Sequence, residues 1–380
     1  MDYFQKALEL HEQLVGKLET VSKSPLQNTD DLSTVYSPGV AEPCKKIAQN
    51  PDDVYKYTLK ANTVAVVSDG SAVLGLGNIG AKAGIPVMEG KCLLFKTFAG
   101  LNAFPICLET QDTEEIIDIV KKIAPVFGGI NLEDIAAPRC FEIEKRLIDE
   151  LDIPVFHDDQ HGTAIVTLAG LVNALKLTNK AKEDVKIIMN GAGAAGIAIA
   201  DLLMDYGFKN ITMCDSRGVI YDGRGDLNPE KERIAKVTNL EKNEGTLDDV
   251  MKGADIFIGV SVAETVTKDM VRSMNDKPII FAMANPIPEI MPEDAKEAGA
   301  YIIATGRSDY PNQVNNVLAF PGIFKGAIES RSPKITDEMK IAAGLALANM
   351  VESPSPEKVI PNPFDPGVAE RVAEAVKLEV

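Results

Sequence analysis

Acidic residues cluster at two places where the sequence predicts that strands end. Glu133 and Asp134 follow the apolar run around Ile130, and Asp158 and Asp159 follow LDIPVFH. Because α/β sheets bind ligands beyond the carboxyl ends of their strands, we expect these side chains to line a site. Two or three carboxylates suit Mg²⁺ or Mn²⁺, which prefer oxygen ligands. In a chain with 56 acidic residues, a solvated acidic loop explains the same pairs equally well.

Two histidines flank the second acidic pair. His157 and His161 have the HxxxH spacing of zinc proteases, whose HExxH motif places both rings on one face of a helix. Here Asp158 takes the place of the glutamate, and His157 is predicted to close a strand. We therefore predict structural roles for both histidines.

A glycine-rich motif indicates a dinucleotide site. GAGAAG follows the apolar run VKIIMN and opens a predicted helix, and Asp215 lies 19 residues after its last glycine, as in dinucleotide-binding turns. The free amide groups at the start of that helix would hold a diphosphate. The predicted cofactor contacts are Gly191, Gly193, Ala194, Ala195, Gly196 and Asp215.

The residue at the end of the next strand bears on the choice of cofactor. The Asp215 carboxylate would accept hydrogen bonds from free ribose hydroxyls and repel the extra phosphate of NADP. NAD is therefore the predicted cofactor, although Arg217 would soften this preference.

A second GxGxxG motif, at Gly75, Gly77 and Gly80, is predicted to be a tight turn. The helix after it would meet Pro86 within a turn, and no acidic residue lies near position 99.

The elements that must position these residues follow from apolar spacing. The helical spacing of Phe4, Leu8, His11 and Leu14 predicts an amphipathic N-terminal helix that packs on a partner surface. TVAVVSDGSAVLGL predicts a hairpin around its Asp-Gly pair, IPVMEGKCLLF a strand, and the Ser-Pro-Gly turn of TVYSPGVAEPCKK an irregular loop. Alternating helices and strands then predict an α/β layer.

The length of 380 residues favours two domains. We predict an N-terminal α/β domain at residues 1–160 that carries the catalytic groups. Short apolar strands alternating with helices predict a Rossmann-type, doubly wound dinucleotide-binding domain at residues 161–380. The last 50 or so residues are predicted to be helical and to pack back on the first domain.

The composition argues against several classes of protein. A net charge of −17 disfavours nucleic acid and anionic membranes as partners, and the charged N-terminus does not resemble a signal peptide. We therefore expect a cytoplasmic protein without membrane spans. The five scattered cysteines are expected to be reduced and mostly buried.

Eight ordered motifs resemble the malic enzyme family, in its short bacterial form. They are TVYSPGVAEPC, SDGSAVLGLGNIG, GIPVMEGKCLLFK, NLEDIAAPRCF, VFHDDQHGTA, GAGAAG, FAMANP and QVNNVLAFPG, and they span nearly the whole chain. The resemblance implies NAD-dependent oxidative decarboxylation of L-malate to pyruvate through oxaloacetate, with Mg²⁺ or Mn²⁺, in a homodimer.

The resemblance also implies roles for individual residues. Tyr36 corresponds to the general acid, Lys91 to the general base, and Asp158 to the carboxylate that pairs with the lysine. The metal ligands correspond to Glu133, Asp134 and Asp159. Asn285 corresponds to an amide that meets cofactor and substrate, and Asn315 and Asn316 to amides that meet substrate.

One position departs from the pattern of larger family members. Where they carry an arginine for the substrate carboxylate, this chain has Ala72. Asn285, Asn315, loop amides or a lysine of a second subunit could hold the carboxylate instead.

Two other functions are compatible with parts of this pattern. An oxaloacetate decarboxylase with little redox activity would need the same metal site, but the complete GAGAAG motif favours retained redox chemistry. A non-catalytic nucleotide sensor or scaffold would tolerate loss of the acid, base or ligands, all of which are present.

Overall fold

The computed structural model describes residues 3–380. Four helices precede the first strand: α1 (Tyr3–Leu14), α2 (Thr29–Val35), α3 (Ala41–Gln49) and α4 (Val54–Tyr57). The predicted N-terminal helix is confirmed as α1. The Ser-Pro-Gly turn lies between α2 and α3, so the expectation of an irregular loop on both sides of it is wrong. No residue from position 3 to position 59 is buried.

The first sheet contains four parallel strands in the order β2-β1-β3-β4. Its strands are β1 (Thr63–Ser68), β2 (Asn102–Cys107), β3 (Gly129–Leu132) and β4 (Val155–His157). The connecting helices are α5 (Gly80–Ala99), α6 (Thr113–Ile123) and α7 (Arg139–Glu150). All six residues of β1 are buried, as expected for a parallel strand covered on both faces.

The predicted hairpin and the strand after it are both wrong. β1 pairs in parallel with β2 and β3, and IPVMEGKCLLF lies inside α5, which continues through Pro86. A Cβ at Gly70 would lie 2.3 Å from the backbone of Gly80, so the glycine lets the loop close on the start of α5. The tight turn predicted at Gly75 and Gly77 is confirmed, since a bridge joins Val73 to Gly77. The expectation that Pro86 would interrupt a helix after Gly80 is wrong.

One long helix, α8 (Asp158–Thr178), leads from the first sheet to the second. It begins directly after β4, so Asp158 and Asp159 lie in its first turn. Most of its residues are buried, which places its body inside the core of the protein.

The second sheet has the order β10-β9-β8-β5-β6-β7, in which only β7 is antiparallel. Its strands are β5 (Lys186–Asn190), β6 (Asn210–Asp215), β7 (Gly218–Val219), β8 (Ile256–Gly259), β9 (Ile279–Ala282) and β10 (Ile302–Thr305). Its helices are α9 (Ala194–Tyr206), α10 (Pro229–Ala235), α11 (Leu247–Met251), α12 (Lys268–Arg272) and α13 (Pro292–Glu297). The predicted doubly wound sheet is confirmed.

The chain ends in α14 (Phe320–Glu329), α15 (Asp337–Asn349) and α16 (Val368–Lys377). The ring centroids of Phe320 and Phe324 lie 4.7 and 5.4 Å from that of Phe95 in α5. One apolar core therefore joins elements of both sheets. Among residues 3–380, no helix is both long enough and apolar enough to cross a membrane.

Candidate active site

A cavity of about 650 Å³ lies between the carboxyl ends of strands from the two sheets. Nine of the predicted site residues line it: Lys91, Glu133, Asp134, Asp159, Ala194, Ala195, Asn285, Asn315 and Asn316. The parallel strands explain this convergence, because each delivers the loop after it to the same edge.

Three carboxylates form the acidic wall of the cavity. Oxygen atoms of Glu133, Asp134 and Asp159 lie within 4.8 Å of one another. Asp134 adopts a φ of +54°, and its backbone N–H donates to Asp159 Oδ2 over 2.8 Å. Asp134 Oδ2 is buried without a hydrogen-bond partner. This backbone conformation therefore holds Asp134 Oδ2, which has no hydrogen-bond partner, in the same group as the Glu133 and Asp159 carboxylates.

The electrostatics of these carboxylates fit a divalent cation. Burial, reinforced by Asp159 and opposed by Lys91, raises the pKa of Glu133 to about 7. Burial and the charges of Asp159 and Glu133 raise the pKa of Asp134 to about 8. A divalent cation would relieve this repulsion and satisfy the free oxygen, as is typical of Mg²⁺ and Mn²⁺ sites.

Lys91 is buried at the centre of the site. Its Nζ donates to Asp158 Oδ2 over 2.6 Å and lies 2.8 Å from Glu133 Oε1. The ring of Phe320 lies beneath it, 4.4 Å from Nζ to the centroid. Burial alone would lower the pKa of Lys91, but Asp158 and Glu133 outweigh it and raise this pKa above its ordinary value.

Asp158 lies behind Lys91, outside the cavity, with its side chain fully buried. Burial raises its pKa to about 7. A Cβ at Gly162 would lie 2.0 Å from Asp158 Oδ1, so only glycine leaves room for this carboxylate. Sequence reasoning missed both Gly162 and Phe320. The glycine carried a signal, because it lies one helical turn after Asp158 and on the same face.

His157 and His161 do not belong to the group formed by Glu133, Asp134 and Asp159. His157 is buried, and burial lowers its pKa to about 4. His161 Nε2 lies 3.0 Å from the Glu144 carboxylate, which also accepts the backbone N–H of His157 and the amide of Gln160. Glu144, which sequence reasoning missed, thus organises the start of α8. The contact with Glu144 supports the structural role predicted for His161. His157 lines the cavity and neither of its ring nitrogens has a hydrogen-bond partner among the described residues, so its structural role stays a prediction.

The glycine-rich turn joins β5 to α9 at the edge of the cavity. Gly191 has a φ of +122°, and a Cβ there would lie 2.8 Å from the carbonyl oxygen of Val260. A Cβ at Gly196 would lie 1.9 Å from the carbonyl of Gly191, whereas Gly193 faces open space. Close packing therefore explains Gly191 and Gly196, whereas Gly193 leaves the start of α9 accessible.

Asp215 ends β6 but does not line the cavity. Its Oδ2 accepts hydrogen bonds from Arg224 and Lys231, both 2.6 Å long. Burial would raise its pKa, but these cations outweigh burial and hold the pKa well below its ordinary value. The side chain of Arg217 instead pairs with Asp226 at 2.8 Å.

Tyr36 and Ala72 differ in their relation to the cavity. Ala72 lines it, so the position of the missing arginine does face the site. Tyr36 follows the last residue of α2, is 68% exposed and does not line the cavity. The structure therefore does not bring Tyr36 together with Lys91 in one chain.

Two family profiles together cover most of the chain. The profile of the malic enzyme N-terminal domain matches residues 15–148, and that of the malic enzyme NAD-binding domain matches residues 160–377. The chain belongs to the malic enzyme family. The resemblance predicted from the eight motifs is confirmed.

Individual malic enzymes are similar over nearly the full chain. The bifunctional malic/malolactic enzyme of Bacillus subtilis is 61% identical over 99% of this chain and 92% of the relative. The NAD-dependent malic enzyme of Geobacillus stearothermophilus is 58% identical over 95% of this chain and 76% of the relative. A crystal structure of the NAD-dependent malic enzyme from Thermotoga maritima has a TM-score of 0.95 and 53% identity, covering 98% of each chain. Malic enzymes named NADP-dependent are 48% to 50% identical.

Proposed function

We propose that this malic enzyme converts L-malate to pyruvate and CO₂ while reducing NAD. The observation that carries the proposal is a single cavity with a buried lysine–carboxylate cluster on one wall and the glycine-rich turn of α9 on another. Substrate oxygens would meet the first wall, and the cofactor would lie along the second.

Lys91 is the proposed general base. Asp158 and Glu133 favour its charged form, so Lys91 must first lose a proton. As the neutral amine it then accepts the proton of the C2 hydroxyl of malate as hydride leaves C2 for the nicotinamide, which gives oxaloacetate. Its contacts with Asp158 and Phe320 fix the position of Nζ before substrate binds. Asp158 thus orients the base and accepts hydrogen bonds from it between steps.

Glu133, Asp134 and Asp159 are the proposed ligands of Mg²⁺ or Mn²⁺. A bound divalent cation would act as a Lewis acid on substrate oxygens, during both oxidation and loss of CO₂. The free oxygen of Asp134 and the raised pKa values support this role.

Tyr36 is the proposed general acid. After CO₂ leaves, it delivers a proton to C3 of the enolate and completes pyruvate. Asn285, Asn315 and Asn316 are proposed to hold the substrate, since all three line the cavity and Ala72 offers no charge there. Asn285 also lies where it could meet the cofactor.

NAD is proposed over NADP because Asp215 ends β6 at the position that contacts ribose in such folds. Arg224 and Lys231 neutralise this carboxylate and would limit its repulsion of a phosphate. We therefore expect measurable but weaker use of NADP.

The assembly and layout are part of the same proposal. The homodimer is proposed from the family resemblance alone. A catalytic domain at residues 1–160 and a cofactor domain at residues 161–380 fit the two sheets described above. The cytoplasmic location stays a prediction.

The deciding assay measures absorbance of NADH with malate, NAD and Mn²⁺, and repeats it with NADP and with a chelator. We expect NADH and pyruvate in equal amounts, and loss of both with the chelator. Decarboxylation of added oxaloacetate without any NADH from malate would establish the oxaloacetate decarboxylase alternative instead.

A malolactic reaction is a second candidate, favoured by 61% identity to a bifunctional malic/malolactic enzyme. If pyruvate and NADH stay in the cavity, hydride returns to C2 of pyruvate and a proton to its oxygen, which gives lactate. Malate would then yield lactate and CO₂ without net NADH. Quantifying lactate, pyruvate and NADH in the same reaction separates the two outcomes.

A further inference from the structure

Glu289 is a buried carboxylate that the proposed chemistry does not use. Its exposed fraction is 0%, and among residues 3–380 no cationic side chain pairs with it. Burial raises its pKa, whereas hydrogen bonds from backbone N–H groups lower this pKa. A carboxylate inside a protein is costly unless its oxygens are hydrogen-bonded. Its presence at this position therefore needs a physical reason.

Both oxygens of Glu289 accept hydrogen bonds from loops that border the cavity. Oε1 accepts the backbone N–H of Ser261 over 3.0 Å, and Oε2 accepts that of Ala284 over 3.1 Å. Ser261 follows β8, Ala284 follows β9, and both residues line the cavity. Hydrogen bonds that a carboxylate only accepts, on both oxygens, favour its ionised form. A negative charge therefore lies directly behind the ends of these two strands.

The last residue of β8 leaves room for this carboxylate. A Cβ at Gly259 would lie 2.3 Å from Glu289 Cδ. The backbone closes at the same place, because the N–H of Val266 donates to the carbonyl oxygen of Glu289 over 3.0 Å. These contacts fix the charge in one position relative to both loops.

The strand order of the second sheet indicates which half of the cofactor would lie over β8 and β9. The order reverses between β5 and β8, and a dinucleotide lies across such a reversal. Asp215 ends β6 on one side and lies outside the cavity, whereas the loops after β8 and β9 share the cavity with Lys91. If hydride leaves malate beside Lys91, as proposed above, the nicotinamide ring must lie over β8 and β9.

We propose that the buried charge of Glu289 makes this cavity bind NAD more tightly relative to NADH. The inference rests on the proposed function, because it needs the nicotinamide at this end of the cavity. The oxidised ring carries a positive charge and the reduced ring is neutral, so a fixed anion attracts the oxidised form alone. The low dielectric around a buried group strengthens this attraction. Glu289 thereby favours the exchange of NADH for new NAD after each turnover.

The dissociation constants of NAD and NADH, measured by calorimetry without malate, test this effect of charge. Glu289→Gln keeps the shape of the side chain but removes its charge. The ratio of the Kd for NAD to the Kd for NADH should therefore rise by about tenfold. For a two-electron couple, this change corresponds to a rise of about 30 mV in the midpoint potential of the bound cofactor. If the glutamine variant does not fold, Glu289→Met, which is neutral and of similar length, replaces it.

Two further variants separate the charge from packing. Glu289→Asp shortens the side chain but keeps the charge, so the ratio should stay within about twofold of the parental ratio even if both dissociation constants rise. Glu264→Gln removes an exposed charge from the loop after β8 and should leave both constants unchanged.

Two results overturn the inference while the proposed function stands. One is an unchanged ratio in the neutral variant, which would mean that Glu289 only supports the two loops. The other is an equal change of the ratio in Glu289→Asp, which would assign the effect to packing. A parental protein that binds neither NAD nor NADH would contradict the proposed function itself, and this inference with it.

Discussion

Asp158 accepts a 2.6 Å hydrogen bond from Lys91 although its own carboxylate is fully buried behind the lysine. The pair thus fixes the position of Lys91, the proposed base, from the side opposite the cavity.

Replacing Asp158 with Asn should lower kcat for malate oxidation roughly 100-fold, because Lys91 loses the charge that orients it. NADH binding should stay unchanged. Single-turnover NADH formation separates this effect from product release. Gly162→Ala should act in the same direction, because its Cβ would displace Asp158 Oδ1. Parental kcat in both variants would show that Asp158 does not position the base.

Mn²⁺ should raise the melting temperature of the chelator-treated protein by a few degrees, because a cation at 100 times its Kd stabilises the fold by about 2.7 kcal/mol. Asp134→Asn should abolish this shift, since it removes the buried free oxygen. Asp118→Asn, at an exposed carboxylate of α6, is the matched control. A shift retained in Asp134→Asn would place the metal elsewhere.

Asp215→Ser should raise the ratio of kcat/KM for NADP to kcat/KM for NAD by about tenfold or more. It removes a negative charge and frees Arg224 and Lys231 to pair with a phosphate. Asp222→Ser, which breaks an exposed ion pair with Lys242, should leave the ratio unchanged. An unchanged ratio in both variants would show that cofactor choice is made elsewhere.

Glu144→Gln should reduce the free energy of unfolding at pH 7 by about 3 kcal/mol. Burial would raise the pKa of Glu144, but the hydrogen-bonded ring of His161 and, once it is protonated, His157 outweigh burial and lower this pKa to about 2. A lowered carboxylate pKa stabilises the fold above the unfolded value near 4.5, and this stability is lost as the pH falls toward 2.

Urea unfolding at pH 7, 5, 4 and 3 measures this dependence. The difference between parent and Glu144→Gln should shrink across the two most acidic points. Glu142 is exposed and lies on the same helix, so Glu142→Gln is the control. Its free energy of unfolding should equal that of the parent at every pH. A difference that stays constant with pH would mean that Glu144 acts through packing rather than charge.

Most of the residues that follow the carboxyl ends of the strands and border the cavity could be predicted from the sequence. Glu133, Asp134 and Asp159 each follow a strand at the predicted place, because continuous apolar runs reveal buried parallel strands and the loops after them. GAGAAG was placed between β5 and α9 for the same reason.

The errors in the first domain have a physical cause. TVAVVS is apolar at nearly every position, which indicates a strand buried on both faces rather than one arm of a hairpin. In α5, the glycines and Pro86 obscured the helical pattern of Met88, Cys92 and Phe95, whose spacings of four and three place them on one buried face. Packing overrode local propensity there.

The exposure of Tyr36 could not be predicted from its motif. YSPG identifies the residue type and the turn, but the distance to Lys91 depends on where residues 18–50 settle. Their apolar spacing indicates only that some surface must cover them.

Helix α8 determines where this protein could be divided. Its 21 residues span about 31 Å, and a cut at residue 160 falls in its first turn. A chimera that takes its cofactor half from another dehydrogenase must therefore import the whole helix, including Asp158 and Asp159. The carboxylate that pairs with Lys91, the proposed base, would then come from the donor protein, so the two halves are not interchangeable.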